Sequence, residues 1–299
     1  MTDQPALRPG AAVGGALCAM ARDILGEARA ALDDPARSDA VAVHDYRKAM
    51  KRWRALLRLL EPYLGEDGNR LRIEARELAR GLAGARDVQA VLDALSDVEK
   101  ADGDLSPTSL ATMRRRIAAI KHAAETTTLT DTMRDRLRAA LESAERAVNF
   151  WPLGDLTFAD VAARLADGYR GARRAIPDAW RDADDEALHG LRRRVVEHRY
   201  QIEVVEPLWP RFNRLWVGEA QRLRERLGSC QDLVQLVAVT APHQPLAPWR
   251  SRLAPLIAAR KAAHVSAAQR LAGRLFAEKP KAFRRRLKAL WESRGEDEG

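Results

Sequence analysis

Alternation of apolar and polar residues is almost absent from this sequence, which excludes a β-rich fold. No run of eighteen apolar residues occurs, so no membrane-spanning helix and no membrane insertion are expected. Aromatic residues are scarce at 5%, although seven of them are Trp. There are two cysteines, Cys18 and Cys230, and neither belongs to a Cys-x-x-Cys pair. Two buried thiols in a reducing compartment are therefore expected. No basic-then-apolar leader precedes the first helical stretch, and the expected location is the cytoplasm. The chain has no GxxxxGK[ST] phosphate loop and no acidic cluster spaced for divalent-metal chemistry. No cofactor, bound metal or catalytic role is expected.

What is present is helix and positive charge. Apolar residues return every three or four positions, and Ala, Leu, Arg and Glu dominate. Lys and Arg number 51 against 42 Asp and Glu, a formal net charge of +9. Such a balance points to an acidic partner: a phosphate polymer, nucleic acid or an anionic surface. The charge alone does not choose among these, and any single arginine could equally sit on a solvated, ion-paired face.

An all-α chain follows. Helices are expected over about 13–32, 39–60, 69–82, 87–100, 109–124 and 129–147. A joint follows at 149–154, where Pro152 and Gly154 break the period. Further helices are expected over about 158–175, 182–205, 212–227, 231–239, 249–276 and 281–292, the last with Pro280 at its start. Gly65 and Gly68 mark a turn after Pro62, and Asp87 and Asp232 are expected to cap helices.

The pattern restarts after the joint. His44-Asp45-Tyr46-Arg47 aligns with His189-Gly190-Leu191-Arg192, and Glu61-Pro62 with Glu206-Pro207. Leu78, Leu82 and Asp87 align with Leu223, Leu227 and Asp232, all at one offset of 145 residues without a gap. This is a duplicated helical unit, with halves over about 11–148 and 155–292. Two such units pack most simply about an approximate two-fold axis, with their shared faces building one groove.

The helix that opens at His44 carries the clearest signal. Tyr46, Met50, Trp53, Leu57 and Leu60 recur at core spacing. His44, Arg47, Lys51, Arg54 and Arg58 recur on another face, with Lys48 and Arg52 flanking them. No acid interrupts the helix between Asp45 and Glu61. Like charges at i,i+4 cost roughly 0.2–0.5 kcal/mol per pair, so an unrelieved line reads as a ligand surface. Pairing with Glu74 or Glu77 of a neighbouring helix is the structural alternative. Arginine forks match phosphate oxygens two at a time, and a histidine beside phosphate has its charged form favoured. The second copy keeps His189, Arg192 and Arg199, with Arg193 and Arg194 alongside, but has Val196 and Glu203 where the first has Lys51 and Arg58. His198 shares a face with Val195 and Ile202 and reads as a packed histidine. Arg170, Arg173 and Arg174, then Arg270 and Arg274, are further basic candidates, as is the run Lys279, Lys281 and Arg284–Arg286.

In these segments the chain resembles the CHAD family, helical domains with characteristic histidines. The resemblance rests on His44-Asp45-Tyr46-Arg47-Lys48-Ala49-Met50-Lys51-Arg52-Trp53-Arg54, Leu82-Ala83-Gly84-Ala85-Arg86-Asp87 and His189-Gly190-Leu191-Arg192-Arg193-Arg194-Val195. It continues through His198-Arg199-Tyr200-Gln201 and Glu206-Pro207-Leu208-Trp209-Pro210 to the closing segment 275–283, and extends from about Ala11 to Trp291. It implies two four-helix bundles related by pseudo-two-fold symmetry around a basic cavity. It also implies binding of inorganic polyphosphate and, in bacteria, association with polyphosphate granules. The family's site positions fall on His44, Arg47, Lys51, Arg54, Arg58, His189, Arg192 and Arg199. Val196 departs from the lysine often found there, which removes one cation from the second stripe. The Glu-x-Glu-x-Lys strand of the attached hydrolase domain that some members carry is absent, so hydrolase activity does not transfer.

Two alternatives stay in competition. Charge and phosphate spacing also suit nucleic acid, although no helix-turn-helix or RNA-binding signature occurs and the aromatics fall on the core stripe rather than the basic one. A phosphoryl-processing enzyme is the weaker alternative, invited only by histidines near phosphates.

Overall fold

Apolar periodicity and local capping set the helices. The structure, a computed structural model, describes residue 7 and residues 10–82, 84–101 and 105–297, and these residues contain helices and no strand. Helix α1 (Val13–Asp33) buries Leu17, Ala21, Ile24, Leu25 and Ala28 on one face. It stops where the Asp34 carboxylate turns back to accept from the Ala36 amide, beside Pro35. Then come α2 (Asp39–Gly81), α3 (Gly84–Ala101), α4 (Pro107–Thr128) and α5 (Asp131–Val148). The joint leads to α6 (Phe158–Arg174), α7 (Asp185–Glu203), α8 (Pro210–Ala238), α9 (Arg250–Leu275) and α10 (Pro280–Asp297). Side chains fix several starts: Ser106 caps α4, Thr130 caps α5, Asp184 caps α7, and Thr157 with Asp160 forms a reciprocal capping box on α6.

The expected break after Pro62 is a kink rather than a gap. Helix α2 is continuous except at Gly65, whose φ of 57° and ψ of −138° lie outside the helical region. A side chain there would be strained, so glycine is what lets the chain turn. Gly68 lies within the second arm of the helix. In the second half, the two helices expected over 212–227 and 231–239 form the single helix α8. Asp232 therefore lies inside a helix and does not start one; the small residues Gly228 and Ser229 do not interrupt the helix. The Asp87 side chain lies outside the described residues.

Helix α1 packs on α2 and α5, α6 on α7 and α10, α3 on α4, and α8 on α7, α9 and α3; α2 crosses α7. On the alignment expected from the sequence, the two arms of α2 correspond to α7 and the start of α8. The apolar clusters are not divided along the repeat. The larger one joins α1, α2, α5, α6, α7 and α10 to the near ends of α8 and α9, with Tyr46, Trp53, Tyr169 and Phe283 fully buried. The smaller one joins α3 and α4 to Leu233 and Leu236 of α8 and Leu253 and Ile257 of α9. Each fully buried large apolar side chain contributes about 1.5–3 kcal/mol, so the clusters hold both halves to one another.

The joint is itself packed. Trp151 stacks on Trp53 with ring centroids 5.6 Å apart. A Cβ on Gly14 would lie 1.9 Å from the Leu153 carbonyl oxygen, so only glycine lets α1 approach this segment. Cys230 is buried as expected, whereas Cys18 is only partly so. No helix among the described residues is long and apolar enough to cross a membrane.

Candidate anion-binding groove

The kink at Gly65 turns the second arm of α2 back along the first, and Arg47 donates to the Ala79 carbonyl across the gap. The apolar faces of both arms go to the core. Their other faces, with α7, line an open groove of about 1210 Å³. Among its described lining residues are fourteen Lys and Arg and two His, against Asp39 and Glu197 as acids.

The stripe expected on the first arm is brought together: His44, Arg47, Lys48, Lys51, Arg54 and Arg58 all line the groove. So do His189, Arg192, Arg193 and Arg199 of α7. The two stripes therefore face one space. Val196, the position without its lysine, lines it as well.

Six candidates lie elsewhere. Arg52 points to the other side of its helix, bonded to Glu27 and 4.0 Å from Glu203. Arg170 pairs with Asp167 on its own helix at 2.6 Å. Arg173 donates to the Glu278 carbonyl at 2.9 Å, binding α6 to the turn before α10. Arg174 is exposed in the last turn of α6 and Arg270 donates to Ser266 at 2.9 Å. Arg274 lies 3.5 Å from Glu219. Arg52 flanks the stripe on the helical wheel but turns to the side away from the groove; for the other five charge alone makes the case, with no helix face to place them, and helix packing puts them outside the groove.

The groove also contains cations outside the expected set of site residues, of which only Arg194 stands beside an expected stripe. Arg72, Arg76 and Arg80 come from the second arm, and Lys121, Arg194 and Arg224 from α4, α7 and α8. The first three recur at i, i+4 and i+8, the same signal that marked the first arm. Glu74 and Glu77 between them give that stretch the look of an ordinary mixed-charge surface.

Arg54 is the electrostatic centre. Its Nε is buried without a hydrogen-bond partner, and it makes no ion pair among the described residues. Burial holds its guanidinium below the usual range, and Arg76 and Arg72 push it the same way, opposed by Glu197. The protein therefore keeps a poorly solvated positive charge beside other positive charges. That arrangement is costly in an empty groove and favourable around an anion.

The histidines differ. His189 has its Nδ1 buried with no partner, and burial followed by Arg193 and Arg192 holds it below its ordinary value. His44 is exposed at the groove wall. His198 is 1% exposed and accepts from Trp216 Nε1 at 3.1 Å, and burial pushes it down to about 3. It is a neutral core residue, as its apolar neighbours predicted. On the groove wall Arg199 lies 3.1 Å from Glu203 and covers the Tyr200 ring at 4.2 Å.

The family model of the CHAD domain matches residues 16–241, well over half of the chain. The match ends short of the expected closing segment around 275–283. No curated protein matches. The crystal structure of the CHAD domain from the plant Ricinus communis is similar to this fold with a TM-score of 0.60 and 21% identity. That likeness covers 95% of this chain and 94% of that one.

Proposed function

The chain belongs to the CHAD domain family, and from that premise we propose that its groove binds inorganic polyphosphate as an extended chain. The observation that carries the reading is Arg54, a half-buried cation whose Nε has no hydrogen-bond partner and which makes no ion pair among the described residues, set among Arg58, Arg72 and Arg76. Its surroundings suit a ligand with closely spaced negative charges and no need for base or sugar contacts. Cations one helical turn apart lie about 5.4 Å from one another, so successive residues can meet successive parts of such a polymer. In this reading the halves are related by a pseudo-two-fold axis that brings the stripes of α2 and α7 to one ligand. Substitution of His189 and Arg192 then weakens the same binding event as substitution of His44 and Arg47. Association with polyphosphate granules in the cytoplasm follows from the same chemistry.

We read the groove as a binding site without a catalytic step. Eleven of its described lining residues are arginines, whose guanidinium groups stay protonated and neutralise charge without exchanging protons. Nucleic acid fits the lining less well. Tyr200 is the one aromatic residue among the described lining residues, and Arg199 already covers its ring, so stacking surface for bases is missing. The test is a calorimetric titration with long-chain polyphosphate, against single-stranded DNA, RNA and orthophosphate at matched charge and salt. Polyphosphate is expected to bind tightest. Equal or tighter binding of either nucleic acid would overturn the assignment.

A further inference from the structure

We infer that Glu197 is a built-in competitor for the ligand of this groove: its carboxylate holds Arg58 and Arg194 while the groove is empty and gives them up to phosphate oxygens on binding. The inference rests on the groove being a polyphosphate site, and adds an element that tunes its affinity.

The repeat makes Glu197 conspicuous. It stands where the first half has Arg52, and Glu203 stands where the first half has Arg58. Across the α2–α7 crossing, Arg58 approaches Glu197 at 3.8 Å and Arg52 approaches Glu203 at 4.0 Å. The two contacts are therefore repeats of one another, with acid and base exchanged between halves.

Their settings differ. Glu203 is not among the groove-lining residues, and it has a close partner in Arg199 at 3.1 Å. That makes it a brace. Glu197 lines the groove, and two cations approach it loosely, Arg194 at 3.6 Å and Arg58 at 3.8 Å, Arg58 being held more closely by Glu61 at 3.1 Å. Both distances exceed the 2.7–2.9 Å of a charge-assisted hydrogen bond, so a phosphate oxygen can make a better contact than the carboxylate does. Both partners are themselves groove cations. A carboxylate in that place lowers affinity twice: it partly neutralises two groove cations, and it repels the approaching polyanion. An ion pair that only held the fold together would have the opposite signature, because its removal would loosen the groove and weaken binding.

The experiment titrates the full chain with long-chain inorganic polyphosphate at fixed ionic strength, comparing wild type, Glu197→Gln and Glu219→Gln, with a thermal melt of each. Glu219 pairs with Arg222 and Arg274 outside the groove, so its variant makes the same change in net charge at a distance. Glu197→Gln is expected to bind about three- to tenfold tighter, from two exposed-type pairs each worth up to about a factor of five. Glu219→Gln is expected to stay within about twofold of wild type at physiological salt, where screening limits distant charges. Should Glu197→Gln fold poorly, Glu197→Asp draws the carboxylate back by one methylene and is expected to bind more tightly than wild type. Unchanged or weaker binding by the Glu197 variants, with wild type bound, would overturn the inference alone, as would an equal gain in Glu219→Gln. Absence of binding by wild type and variants alike at low salt would overturn the reading of the groove, and the inference with it.

Discussion

Replacing Arg54 by glutamine separates a ligand site from a structural charge network, because the two make opposite demands on this residue. In the ligand-free protein its Nε has no partner, and its guanidinium lies near Arg72 and Arg76. The substitution removes repulsion from two or more cations, worth roughly 0.2–0.5 kcal/mol each if the pairs resemble those along a helix. It also removes about one methylene of packing, near 0.8 kcal/mol. The two nearly offset, so the ligand-free melting temperature is expected to move by less than about 3 °C. Binding loses at least one charge-assisted phosphate contact, about 1.5–3 kcal/mol, or roughly ten- to 150-fold in Kd. The assay pairs a thermal melt without ligand and a titration with long-chain polyphosphate at constant ionic strength. A fall of 8 °C or more with affinity unchanged would refute the reasoning, since it would mean that Arg54 holds the fold through contacts other than a ligand's.

Three further outcomes follow from the same geometry. Affinity is expected to fall with salt at a log–log slope of about −0.7 per neutralised phosphate, by analogy with single-stranded nucleic acid; a flat response between roughly 50 and 300 mM would detach the groove from binding. His189 is held below its ordinary value in the empty groove, and a polyanion raises it, so binding takes up a proton. Affinity therefore strengthens as pH falls through the bound-state value and levels off below the free-state one; titrations from pH 8 to 5 in wild type and His189→Asn test this, and identical pH profiles would refute it. Gly14→Ala places a methyl group against the Leu153 backbone and is expected to destabilise the protein by about 2–4 kcal/mol in chemical denaturation, whereas a change under about 0.5 kcal/mol would mean that the joint is free to move away.

The first arm of α2 was legible in the sequence for a physical reason: an acid-free line of cations at helical spacing leaves no ordinary surface reading. The family assignment and the all-helical fold were legible too, since periodicity and the ordered motifs constrain both. The second arm was harder to read. Arg72, Arg76 and Arg80 obey the same spacing, but Glu74 and Glu77 alternate with them, and only the kink at Gly65 shows which of these residues turn toward the first arm. Arg170, Arg173, Arg270 and Arg274 show the converse, lying outside the groove. Charge density was high, but each has a local partner on α6, α8, α9 or the turn before α10. Helix spacing fixes which residues share a face, and tertiary packing decides where that face points.

The exchange of charge between the halves explains why the second stripe is the poorer one. In a two-fold arrangement centred on the α2–α7 crossing, position 52 of one half meets position 58 of the other. Were both halves to carry arginine at both positions, two pairs of guanidinium groups would oppose each other there. Glutamate at the second-half positions, Glu197 and Glu203, turns both meetings into attraction. Two of the cations missing from α7, at 197 and 203, are the ones that would have faced cations of α2; the third, at Val196, lines the groove and is not explained by this exchange. His189, Arg192 and Arg199 repeat His44, Arg47 and Arg54 and still line the groove. A duplicated unit can divide tasks in this way where a symmetric dimer of one chain cannot, because the two copies of each position are free to differ. Cohesion at the crossing then needs acids on one side only, and in the proposed reading the other side keeps its cations for a ligand.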